Sequence, residues 1–436
     1  MKKLIGCFLV ICSISLIKPA VFASSNDCPN DANLANEAIN RVTEVVVHDI
    51  FTPPVSSRIY AYTAIAGYTA FEMAQGIEPF TTKLNEFPVI NLTSSNENIC
   101  PSLAMLSATF KTAKALLFSE EMVDRHLEEM VELYFGNFSA EMREESIEYG
   151  SEIASYIIEW SADDRYRNTR NLERYSLLNK EWSWEPTPPD HTDPVEPYWN
   201  QIRTFVLDSA SACRPVGPTP FDTAQTSTFY LEAMEVFDTK ITLTEDQKAT
   251  VWFWDDNPFV TVHEGHLVYA KKKVSPAGHW MGITGIAITQ DQASLSKAIK
   301  SYALVSIALA DAFISCWDEK YRSNLIRPVT YINSYIDPQW EPYLQTPPFP
   351  EYTSGHSVIS ASAASMLTRL FGNDFAYTDS VETLYGLEPR NYKSFFDASN
   401  EAAYSRLYGG IHYRPGIEVG VLQGKEVCTR IIAKLL

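Results

Sequence analysis

The sequence predicts an all-α fold, a helical bundle of two packed halves with long loops. Three observations predict it. Apolar residues recur at three- and four-residue spacing through most of the chain. Alternating strand patterns are few, and no two of them pair convincingly as a hairpin. The 436 residues are 45% hydrophobic and 20% charged, an ordinary globular composition with length enough for a large core. No internal repeat stands out.

Residues 1–23 read as an export signal. Lys2 and Lys3 begin it, Leu4 to Ile17 form the apolar stretch, and Val21-Phe22-Ala23 precedes the expected cut before Ser24. The apolar stretch is short for a bilayer span, and Cys28 follows Asn-Asp rather than a lipobox. The expected mature protein, 24–436, is therefore a single helical domain, periplasmic or secreted, with no integral membrane segment.

Helical spacing runs over 34–50 and 56–75, parted by Phe51-Thr52-Pro53-Pro54. Residues 77–100 are polar and turn-rich. Runs near 101–117, 119–135 and 139–162 follow, the last opened by Ser139 as N-cap with Glu141 and Glu144 behind it. The segment 163–218, with Trp182-Ser183-Trp184-Glu185-Pro186 and Pro188-Pro189-Asp190, reads as a long ordered loop wrapping a surface. Helices resume near 221–238, 245–254, 278–288 and 291–320, and the last two are 355–371 and 415–435.

A net charge of −19 argues against nucleic acid or an anionic membrane as partner. Without the signal five cysteines remain, so at least one is unpaired. No metal-binding spacing appears among them. Cys28–Cys100 is a possible pair, and Cys316, inside an apolar run, reads as a buried thiol.

The stretch Trp317 to Pro328 closes the long apolar helix and places Lys320 and Arg327 seven residues apart. Two helical turns cover about seven residues, which would put both cations on one face before Pro328 stops the helix. Thr353-Ser354-Gly355-His356 follows, then Ser405-Arg406 and His412. A tetrahedral oxyanion needs charge neutralisation and directed donors. Lys320, Arg327 and Arg406 supply the charge, while Ser354 and the Gly355 amide add donors where a helix begins. Of the two histidines, one can bond the central atom and the other move a proton.

Lys-x6-Arg-Pro, Ser-Gly-His and Ser-Arg-x5-His, in this order, resemble the signature shared by vanadium-dependent haloperoxidases and the type 2 phosphatidic acid phosphatase superfamily. The resemblance covers 317–412 and implies a haloperoxidase-like helical bundle. It also implies roles. Lys320, Arg327, Ser354, Gly355 and Arg406 would hold the oxygens of orthovanadate. His412 would be the axial vanadium ligand, or the nucleophile of a phosphatase. His356 would be the acid–base group, and Lys320 would polarise peroxide. Trp317 and Phe349 resemble residues lining the halide side of the pocket, and Trp317 shares a helix face with Lys320.

There are departures. Thr353 stands where the family usually has proline, which loosens the turn before Ser354. Phosphatase relatives commonly place an aspartate four residues after the last histidine; here Gly416 stands there and Glu418 is out of phase, so a backbone carbonyl would orient His412. Asp256, or Asp255, would hold Arg406, and His279 in Pro276-Ala277-Gly278-His279-Trp280 would approach the pocket. His263 and His266 suggest a metal but lack a third ligand. His48, His126 and His191 read as surface or helix-end residues.

The expected function is therefore a vanadate-dependent haloperoxidase, taking hydrogen peroxide and a halide, iodide or bromide before chloride, with a small organic acceptor conceivable. The alternatives are a vanadate-inhibitable acid phosphatase acting through His412, and a non-catalytic exported binding protein with a vestigial oxyanion site.

Overall fold

The computed structural model describes residues 28–92, 98–258, 261–264, 267–270 and 272–436, with 261–270 described as backbone only. The export signal, His266 and the side chain of His263 lie outside the described residues.

The helices are α1 (Ala32–Asp49), α2 (Pro53–Ala74), α3 (Pro101–Leu116), α4 (Glu120–Phe135), α5 (Ala140–Ala162) and α6 (Tyr166–Arg170). After a long connection come α7 (Thr228–Thr242), α8 (Glu245–Phe253), α9 (Pro276–Gln290), α10 (Leu295–Ser323) and α11 (Pro328–Tyr335). The chain ends with α12 (Gly355–Phe371), α13 (Phe395–Tyr408) and α14 (Arg414–Leu435). Most begin where the sequence supplies a side-chain acceptor for the first free amides. Thr52 caps α2 ahead of Pro53 and Pro54, Thr244 and Gln247 form a capping box on α8, and Ser354 caps α12.

Two small antiparallel hairpins depart from the expectation of no paired strands. They are β1 (Thr261–Glu264) with β2 (Leu267–Ala270), and β3 (Tyr377–Asp379) with β4 (Arg390–Tyr392). At three or four residues each, they are too short for alternation to stand out from the surrounding loops.

α10 organises the bundle. On one side it meets α2, which packs on α3, itself packed on α5 and α4; on the other it meets α12, which packs on α13 and α14. α10 is long and apolar enough to cross a membrane, yet 94% of its most apolar window is buried within the protein. Cys28 and Cys100 are joined by a disulfide, and Cys213, Cys316 and Cys428 are buried free thiols.

The end of α10 differs from the expected one. Asn324 takes the left-handed conformation (φ 51°) and ends the helix at Ser323, and Arg327 is the N-cap of α11. Pro328 therefore opens a helix, as proline at the first position does, and does not merely end one. Lys320 and Arg327 thus reach the site across a break between two helices and not through helical spacing. His126 is also not a surface residue: it is buried, and its Nδ1 lies 3.0 Å from Arg41 Nη1.

The connection before α7 is ordered, and a buried carboxylate of α10 fastens it. Asp311 accepts the backbone N–H groups of Phe205, Val206 and Leu207 at 2.7, 2.8 and 3.0 Å. Earlier in the connection, Trp184 N donates to the Asn324 carbonyl at 2.8 Å, and Ile326 N to the Trp182 carbonyl at 2.9 Å. Asp311→Ala strands three buried donors, each worth roughly 1–3 kcal/mol, so its thermal midpoint should fall well below that of wild type. Asp311→Asn, which keeps one acceptor oxygen, should fall between the two in the same melting experiment.

Candidate active site

Nine residues converge where the end of α10, the start of α11, the 347–353 segment, α12, α13 and the turn after it meet. Trp317, Phe349, Gly355, His356, Arg406 and His412 are among the residues lining one cavity, with Lys320, Arg327 and Ser354 wholly buried behind its wall. Lys320 lies one turn beyond Trp317 on α10, and its Nζ sits 5.8 Å from the Trp317 ring centroid and 4.9 Å from that of Phe349. The two aromatic rings are 5.1 Å apart, and Trp317 Nε1 donates to the Val195 carbonyl, which fixes the wall from behind.

Among the described residues the three cations have no carboxylate bonded to them; backbone carbonyls hold them. Lys320 Nζ donates to the carbonyls of Pro350 (2.9 Å) and Glu351 (3.0 Å). Arg327 donates from Nε to Phe349 O and from Nη1 to Ile411 O, both at 2.8 Å. Arg406 donates from Nη2 to Trp254 O and from Nε to Ser405 Oγ. Burial costs their charged forms dearly. It pushes Lys320 down to about 7, and both Arg327 and Arg406 down to about 10. Glu351, Asp255 and Asp256 act on this buried trio only through space, which leaves it a site for an anion. The start of α12 adds to it. Ser357 N is taken by the Ser354 hydroxyl, while the amides of Gly355 and His356 are unclaimed among the described hydrogen bonds. A Cβ on Gly355 would occupy the space against Trp317 Cζ3 (3.7 Å) and Lys320 Cε (4.0 Å), at the cavity wall.

His412 is held from both sides. Nδ1 lies 2.7 Å from Glu351 Oε1, which also accepts Tyr413 N–H at 3.1 Å. With Nδ1–H donated to the carboxylate, Nε2 carries the lone pair, 3.2 Å from Arg327 Nη1. Burial first, then the Arg327 and Lys320 charges, holds the ring well below the ordinary imidazole range, so it stays neutral and able to ligate.

Glu351 corrects the sequence reading, which gave this task to a backbone carbonyl. A Cβ at Gly416 would lie 2.6 Å from Glu351 Oε1. The glycine thus leaves room for the Glu351 carboxylate where a side chain at 416 would stand. Glu351→Gln keeps the shape but loses the charge that makes the imidazole a strong donor. Loss of such a partner typically costs 10–100-fold in metal affinity. Equilibrium dialysis against orthovanadate should show a loss of that order, with the melting temperature little changed.

His356 stands on the first turn of α12 with Nε2 3.8 Å from Asp256 Oδ2, and that nitrogen has no hydrogen-bond partner among the described residues. Burial, then the charges of Arg406 and His279, keeps it well below its ordinary value; the Trp254 carbonyl pulls the other way. Asp256 does not bond Arg406 directly as anticipated. It and Asp255 act on that guanidinium through space, while Asp255 bonds Lys273 at 3.0 Å and Asp256 bonds His279. His279 lies behind Asp256, stacked on Trp254 at 4.5 Å, and does not line the cavity. Thr353 is not loose: its hydroxyl donates to Gln423 Oε1 at 2.7 Å, and Gln423 Nε2 donates to Ser315 on α10.

Lys320 makes anion binding pH-dependent with a definite sign. Below about 7 its charge is present, and above it the amine must take up a proton when an oxyanion binds. Orthovanadate or phosphate affinity should therefore fall as pH rises through about 7, by at most ~10-fold per unit for one proton. Calorimetry in two buffers of different ionisation enthalpy should show proton uptake.

Comparison with known proteins identifies similar chains. The family described as the VCPO second helical-bundle domain matches residues 300–339 and 333–436. The structure is similar to that of the first bacterial vanadium-dependent iodoperoxidase (TM-score 0.87, 42% identity), over 92% of this chain and 96% of that one. It is also similar to a holo-type bacterial vanadium-dependent chloroperoxidase (TM-score 0.69, 16% identity), over 95% and 99% of the respective chains, which supports the fold. No curated protein matches the sequence.

Proposed function

Since the chain belongs to the vanadium-dependent haloperoxidases, we propose that it is an exported enzyme that oxidises iodide with hydrogen peroxide to hypoiodous acid, with bromide as the poorer substrate. The observation that carries this reading is the His412 lone pair presented beside three buried cations, none of them in ion-pair contact with a carboxylate among the described residues. Likeness to an iodoperoxidase at 42% identity favours iodide. So does the cavity wall: the Trp317 and Phe349 rings suit a large, polarisable and weakly hydrated anion better than a small one.

The residues fit orthovanadate by charge and by donor type. Bound there, vanadate would act as a Lewis acid that activates peroxide without changing oxidation state. His412 would hold the metal through Nε2, and Glu351 would fix the ring. Lys320, Arg327, Arg406, Ser354 and the Gly355 amide would hold the oxygens. His356, kept neutral, would accept the peroxide proton at Nε2. The wall of Trp317 and Phe349 would desolvate the incoming halide.

A phosphatase would use a closely similar cage. Glu351 performs the orienting task of the aspartate absent at position 416, so that absence does not separate the two activities. No observation favours the phosphatase or a vestigial binding protein. The test is a halide panel on vanadate-loaded enzyme. Iodide should exceed bromide by at least ~10-fold in kcat/KM, a difference of about 1.4 kcal/mol in transition-state binding, and chloride should not turn over. Equal or greater activity with bromide would overturn the halide assignment. Export predicts a mature protein beginning at Ser24, read by N-terminal sequencing of the periplasmic and medium fractions.

A further inference from the structure

Behind His356 lies a second group of ionisable side chains that the reaction above does not use. His279, wholly buried on the first turn of α9, places Nδ1 3.0 Å from Asp256 Oδ1 and Nε2 2.9 Å from Asp379 Oδ2. Glu382, also wholly buried, brings Oε1 to 3.8 Å from the same Nδ1. One ligand atom from each of Asp256, His279 and Glu382 falls within 4.8 Å of the others.

Charge makes the cluster unusual. Three carboxylates face a single imidazole, and neither oxygen of Glu382 has a hydrogen-bond partner among the described residues. The nearby Lys273 is already bonded to Asp255, and Arg406 to Trp254 and Ser405. Even with His279 protonated, the group keeps an excess of buried negative charge, and its least satisfied member points into it.

We propose that Asp256, His279 and Glu382 bind one divalent transition-metal cation of the zinc or manganese class, with Asp379 fixing the His279 ring. Metal–ligand bonds of about 2.1 Å place tetrahedral ligand atoms roughly 3.4 Å apart. The observed separations from Nδ1, 3.0 and 3.8 Å, bracket that value. Asp379 accepts the Nε2 proton and so leaves the Nδ1 lone pair for the metal, the usual carboxylate–histidine–metal arrangement. One imidazole with two carboxylates suits zinc or manganese better than calcium or magnesium, which prefer oxygen alone. Asp256 then links this site to His356, 3.8 Å from its other oxygen.

The test counts metals, so it stands apart from the halide reading, and vanadium is counted separately. Full-length mature enzyme is incubated with Zn2+ or Mn2+, desalted, and analysed by elemental mass spectrometry beside Glu382→Gln and His279→Gln. Wild type should retain about one such ion per chain, and each variant less than a tenth of that. Should a variant fail to fold, anomalous diffraction from wild-type crystals grown with Mn2+ or Zn2+ gives the answer, with a peak expected between the three ligands. Absence of an ion from wild type, undiminished retention by a folded Glu382→Gln, a peak elsewhere, or retention of calcium alone would overturn the proposal. A proton held by Glu382 would give the first of these results.

Discussion

His412→Ala is expected to abolish peroxide-dependent halide oxidation, with a loss larger than the roughly 100-fold that follows from disturbing a ligand's orienting partner. The reason is geometric. Nε2 is the lone pair presented beside Arg327 within the cage. The three cations and the α12 amides remain, so inorganic phosphate should still bind with affinity changed only a few-fold. Vanadium should be lost on desalting. Measuring both ligands on the same variant separates a missing ligand from a collapsed cage. Glu351 keeps the Tyr413 N–H, so its carboxylate is not left without a donor.

His356→Ala should show the complementary pattern. General acid–base groups contribute about 10²–10⁴-fold, and a fall of that order in kcat is expected. Vanadium retention should change by less than ~10-fold, because His356 makes no bond to Lys320, Arg327 or Arg406 and its loss leaves their partners intact. The protonation sign is fixed by the surroundings. In the anion-free enzyme, burial and the Arg406 charge favour the neutral ring, so His356 should titrate below the ordinary value of ~6.5. An oxyanion that cancels the Arg406 and Lys320 charges should move it upward. Imidazole resonances followed by NMR with and without phosphate would show this shift, and the variant would lack the titrating signal.

The cage was legible in the sequence because each of its parts carries a local signature. Trp317 and Lys320 lie three residues apart on one apolar helix, and Ser354 before Gly355 announces a helix start. What escaped depended on distant chain segments. Glu351 has no local mark as a histidine partner, since the ring it serves is 61 residues away; the one signal was the glycine at 416. α13, which carries Arg406, was missed because Phe-Phe-Asp-Ala-Ser-Asn-Glu-Ala-Ala-Tyr mixes small and polar residues with no apolar stripe. Its Ser394 cap was the remaining cue. α11 was hidden by reading Pro328 as a stop when the preceding Arg327 is a cap. The interior role of His126 depends on Arg41, which α1 supplies from 85 residues away.

The central claim is that an oxyanion of vanadium, capped by one imidazole, makes this chain an oxidase of halides. Stepwise addition of orthovanadate to metal-free enzyme, followed by peroxide-dependent iodide oxidation, tests it most directly. The account predicts negligible oxidation before addition, a rise that saturates at one vanadium per chain, and competition by phosphate. Equal oxidation with and without vanadium, or saturation without any gain in activity, would contradict it.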